Sequence, residues 1–146
     1  MRLLVRAARE LDARDALFVA RAAVLAVALP PLLRVVPLPR LVALVAGREG
    51  RSRHVPAPPR MVRLTDGVLR RGRGPFRANC AVRSLIVLRY LRRRGEPVSV
   101  SFGVRREPGR LDGHAWVSLG GVPLAEARDP RAIYRTTYQY PSEGTA

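Results

Sequence analysis

Residues 80–126 read CAVRSLIVLRYLRRRGEPVSVSFGVRREPGRLDGHAWVSLGGVPLAE, and a change of rhythm inside this stretch decides the fold. From Cys80 to Arg94 the apolar residues Ala81, Val82, Leu85, Ile86, Leu88 and Leu91 recur at helical spacing, with Arg83, Arg89, Arg92 and Arg93 on the other side. Gly95 closes that helix. After Pro97 the period drops to two: Val98, Val100, Phe102 and Val104 alternate with Ser99, Ser101 and Gly103, which is strand spacing. Pro108-Gly109 marks a turn, and His114 to Leu119 reads as a second strand. Gly120-Gly121 suits a two-residue hairpin into a third strand, Val122 to Ala125. Tyr134 to Tyr140 reads as one more short strand or a packed tail. Helices followed by an antiparallel sheet define an α+β chain.

Upstream, Asp12 or Asp15 can cap a helix that begins near Ala16 and ends at Pro30-Pro31. Its apolar run, Ala16 to Leu29, is interrupted by Arg21 and falls short of the roughly 20 residues that cross a bilayer. It is expected to pack against protein. Contact with a membrane surface, with Arg14, Arg21 and Arg34 at the interface, is the less favoured alternative. A short helix is expected over Arg40 to Ala46, closed by Gly47. Residues 48–60, REGRSRHVPAPPR, have the composition of a linker. Met61, Leu64, Val68 and Leu69 then space out a helix that Gly72, Gly74 and Pro75 break. The expected organisation is a helical docking segment over 1–47, a linker over 48–60 and the main domain over 61–146.

Composition narrows the function classes. All 27 basic residues are arginine, and the 146-residue chain carries a net charge of +16. The charge is concentrated in residues 51–110, where 16 arginines face 3 acids. Such a surface attracts acidic peptide, nucleic acid or anionic lipid. No aromatic residues are interleaved with these arginines in an RNA-binding pattern, so nucleic acid is not the expected partner. An arginine-rich nucleic-acid-binding module remains the non-catalytic alternative. One cysteine excludes an internal disulfide and a multi-cysteine zinc site, and two histidines make no metal cluster. No metal and no cofactor are expected, and no targeting segment stands out, which fits a cytoplasmic protein.

Cys80 carries the chemistry. A thiol at a helix start faces unpaired backbone N–H groups and the positive end of the helix dipole, which favour the attacking thiolate. Arg77 and Arg83 add positive potential there, suited also to substrate or partner. His114, at the start of the second strand, is the base that can take the thiol proton and return it to a leaving amine. An acid normally orients such an imidazole. Glu126 is the first choice because it follows the strand that pairs beside His114; Asp129 is the alternative. Asp112 shares a face with His114 but is awkwardly placed as an orienter. The backbone N–H of Cys80 and the Asn79 amide can receive an oxyanion, although Asn79 reads equally well as a helix cap. Trp116 shares the His114 face, as a wall of the cleft or as core.

Cys80-Ala81-Val82-Arg83-Ser84-Leu85, Tyr90-Leu91-Arg92-Arg93-Arg94-Gly95, Phe102-Gly103-Val104-Arg105, Gly113-His114-Ala115-Trp116-Val117 and Gly121-Val122-Pro123 together resemble the stand-alone leader peptidases of lasso-peptide biosynthesis. These are a branch of the transglutaminase-like, papain-related cysteine peptidases. The resemblance spans about residues 61–130. It implies a papain-like core with the nucleophile at a helix N-terminus packed on a small antiparallel sheet. It also implies removal of the leader from a ribosomally made precursor, with Cys80 as nucleophile, His114 as base and acid, and Glu126 as orienting acid. The family more often has Asp near that last position, which keeps Asp129 open. The implied partners are the precursor peptide, a separate leader-recognition protein and an ATP-using cyclase. A transglutaminase or amidase with the same triad is the enzymatic alternative.

Overall fold

A computed structural model of the chain describes residues 12–71 and 80–142. Four helices come first: α1 (Ala13–Val35), α2 (Leu38–Ala46), α3 (Pro58–Arg71) and α4 (Cys80–Arg94). Then come β1 (Val98–Glu107), β2 (Arg110–Leu119), β3 (Val122–Pro123), a 3-10 turn (Pro130–Ala132) and β4 (Arg135–Tyr140). The strands form one antiparallel sheet in the order β3-β2-β1-β4. The fold is α+β.

Helix α4 is the centre of the molecule. The sequence suggests an apolar face opposite an arginine face, but Val82, Leu85, Ile86, Val87, Leu88, Tyr90 and Leu91 are all buried. α1, α2 and α3 pack on α4, and so do β1 and β2. Val98, Val100 and Val117 join the same core as Phe18, Leu29, Leu41 and Met61. The arginines bury their stems and reach outward with their heads. Arg89 donates to the Val45 carbonyl, and Arg94 to the Val55 carbonyl and to Glu96.

Several boundaries differ from the sequence reading: α2 begins at Leu38 and β2 at Arg110, each earlier than expected, and β3 ends at Pro123, short of Ala125. α1 starts at Ala13 and runs through Pro30 and Pro31 to Val35. Two prolines remove two N–H donors, but Leu29 is buried and Leu32 and Leu33 pack on the core, so packing overrides the local break. Asp15 is not a cap; it is buried and accepts from Arg60 of α3 at 2.7 Å. Within the stretch of linker-like composition, α3 begins at Pro58, since proline suits a helix start. The preceding loop is tied to the end of α4: Gly50 and Ser52 N–H groups bond the Arg92 and Arg93 carbonyls.

Candidate active site

The sheet leaves one edge open where the chemistry sits. β3 pairs only with Ser118 and Leu119, so at the level of His114 no strand among the described residues pairs with β2 on the side away from β1. A cleft of about 260 Å³ opens there, lined by Asp66, Leu69 and Arg70 of α3, Cys80 and Arg83 of α4, His114, Ala125 and Glu126. Cys80 is the first residue of α4 and is partly exposed. The N–H groups of that first turn have no acceptor within the helix.

His114 Nε2 lies 3.0 Å from Glu126 Oε2. With Nε2 so engaged, Nδ1 is the ring nitrogen left for the thiol. The chain reaches this pairing through a tight reversal: the Leu124 N–H bonds the Val117 carbonyl, and Ala125 adopts φ 54°. A left-handed alanine costs about 1–2 kcal/mol and is sustained only where the surroundings impose it. Here it comes immediately before the residue that meets His114.

The second oxygen of Glu126 lies 3.8 Å from Arg83 Nη1, and Arg83 Nε donates to Asp66 at 2.7 Å. The guanidinium thus joins two carboxylates from different elements. Arg83, expected at substrate or partner, lines the cleft and directs its Nε to Asp66 and its Nη1 towards Glu126. Asp66 was missed. Its signal was present, because it is the only acid between residues 51 and 95.

The His114 ring is held from the side by aromatics. Trp116 stacks on it at 6.1 Å and 20° between planes, and Tyr134 lies at 5.2 Å. Trp116 is 1% exposed, so it is a buried support for His114 and not a wall of the cleft. Tyr134 donates from its hydroxyl to Asp112, which also accepts from Arg105 at 2.8 Å, and the Arg105 guanidinium lies over the Tyr134 ring. The Arg105 hydrogen bond, helped by that of Tyr134, lowers the Asp112 pKa below its ordinary value. Burial, followed by the bond to Asp112, raises that of Tyr134. Tyr134, expected only as the start of a short strand or tail, was also missed as a partner of His114, because that contact is made by tertiary packing. Gly103, opposite His114 on β1, is what lets these groups close up. A Cβ there would meet Trp116, Tyr134 and the Arg135 carbonyl at 3.0 Å each.

Asp129 is elsewhere. Its carboxylate caps the 3-10 turn and pairs with Arg131, whose hydrogen bond depresses its pKa. Asp112 serves Arg105 and Tyr134. Arg77 and Asn79 lie outside the described residues. Among the described residues, no group of three or more His, Cys, Asp or Glu is placed to hold a metal ion.

The model of the transglutaminase-like superfamily matches residues 23–139, so the chain belongs to that superfamily. The match begins within α1 and ends in β4, so it takes in the later part of α1, the other three helices and nearly all of the sheet. The superfamily generally comprises cysteine hydrolases and transferases. Comparison with curated proteins gives no match, and neither does comparison with solved structures.

Proposed function

We propose that this protein is a cysteine peptidase that removes the leader from a ribosomally synthesised lasso precursor peptide. It works in the cytoplasm with a separate leader-recognition protein and a cyclase. The observation that carries the reading is the His114–Glu126 pair at 3.0 Å beside Cys80 in one cleft of a transglutaminase-like chain. The motifs around Cys80 and His114, together resembling the lasso leader peptidases, supply the substrate class.

The chemistry runs through an acyl-enzyme. His114 Nδ1 accepts the Cys80 proton, and the sulfur attacks the carbonyl carbon at the end of the leader. Glu126 holds the imidazolium by its Nε2 side and balances its charge. The new oxyanion is received by N–H groups of the first turn of α4; one such donor contributes about 3–4 kcal/mol. As the tetrahedral species collapses, the C–N bond breaks and His114 gives its proton to the departing amine of the core peptide. Water, deprotonated by His114, then cleaves the thioester and frees the leader carboxylate. The basic surface of residues 51–110 suits acidic segments of the leader or of the recognition protein.

Mass spectrometry of precursor peptide incubated with the protein and its recognition partner tests this. The expected products are free leader and core, with no product from Cys80→Ala or His114→Ala. Crosslinked or deamidated peptide without cleavage would instead establish the acyltransferase reading.

A further inference from the structure

The side of the molecule formed by α1 is finished differently from the rest. Ala13, Leu17, Ala20, Val24, Val27, Pro31 and Val35 fall at three- and four-residue steps and are all exposed. Val24 and Val27 are each 68% exposed. The stripe follows a 23-residue helix, roughly 35 Å long, and Leu44 of α2 is a further exposed apolar residue, at 70% exposure. Isolated exposed apolar residues are ordinary, but a continuous row of this length marks a contact surface.

What borders the row decides its occupant. A groove of about 370 Å³ runs beside it between α1 and α4, lined by Arg21, Val24, Leu25, Arg89, Tyr90 and Arg93. Arg89 is turned to the Val45 carbonyl. Arg21 and Arg93 have no carboxylate partner among the described residues. Arg14 and Arg34 are exposed near the two ends of the same helix, while Asp15, the acid within it, is turned inward to Arg60. Apolar residues flanked by arginines match an acyl layer bordered by anionic headgroups.

α1 is also long and apolar enough to cross a membrane, with a mean hydropathy of 2.1 in its most apolar window. Its inner face argues for lying flat instead. Phe18, Ala22 and Leu29 are buried in the protein core, so lifting α1 into a bilayer would strip that core open.

We infer that the outer face of α1 seats the protein on an anionic phospholipid surface. Leu17, Val24 and Val27 enter the interface, and Arg21 and Arg93 take lipid phosphates. This stands independently of the peptidase reading.

Flotation with vesicles of phosphatidylcholine, with and without phosphatidylglycerol, tests it. The protein should float with the anionic vesicles. The double variant Val24→Glu/Val27→Glu should lose about tenfold or more in partitioning. Leu111→Glu/Val122→Glu adds the same charge at exposed residues on the sheet and should change it less than about twofold. Val24→Ser/Val27→Ser, which adds no charge, should also weaken binding and serves if the glutamates perturb folding. No flotation of the wild type would overturn the inference. So would equal losses in the two glutamate variants, which would mean adsorption by net charge alone. A dimer in light scattering that Val24→Ser/Val27→Ser dissolves would overturn it too, by making the occupant a second copy.

Discussion

The two ends of α4 show opposite ways of handling charge. At its start, Cys80 and Arg83 meet a cleft in which the carboxylates are committed: Glu126 to His114 and Arg83, Asp66 to Arg83. Near its other end, Arg93 and the neighbouring Arg21 border a groove without acids. The first arrangement is closed on itself and fixes side-chain positions. The second leaves charge and apolar surface facing outward. A chain with a net charge of +16 has few carboxylates to place, and this one spends several of them around His114. Pairing within a site serves orientation, while unpaired arginines serve attraction.

The largest effect expected within the closed end comes from its acid. Glu126→Gln keeps the shape but cannot balance an imidazolium, so kcat for precursor cleavage should fall by about 100-fold or more. Asp129→Asn, at the Arg131 pair, should stay within about twofold of wild type. Equal losses would mean that the pairing seen at His114 does not matter to turnover.

Gly103→Ala probes the packing behind the imidazole. Three contacts at 3.0 Å must give way, two of them to groups that flank His114. Thermal or urea unfolding should report a loss of about 1–3 kcal/mol. A variant as stable as wild type would show that the Trp116–Tyr134 wall is loose.

The smallest effect concerns Asp112, held by Arg105 and Tyr134. Its folded pKa is lowered, so the stability it contributes is complete above the ordinary carboxylate range and is lost as pH falls through the folded value. The difference in Tm between wild type and Asp112→Asn should therefore shrink between about pH 5 and pH 2. A difference independent of pH would place the contribution in packing alone.

Much of this was legible in the residues. The switch from helical to alternating spacing after Pro97 located β1, and Gly120-Gly121 located the hairpin. Cys80 stood out as the only thiol at a helix start, and Glu126 as the acid following the β3 hairpin. Other features depend on tertiary packing, which local patterns do not encode. The passage of α1 through Pro30-Pro31 is held by buried Leu29, and α4 is enclosed from two sides despite its arginines. The left-handed Ala125 and the placement of Tyr134 against His114 leave no periodic trace.

The central claim is that Cys80 and His114 act as one chemical unit. Iodoacetamide alkylation of Cys80 below neutral pH, in wild type and in His114→Ala, tests it most directly. The account predicts rapid labelling of the wild type and strong loss of labelling in the variant. Equal labelling of both proteins across pH would contradict it.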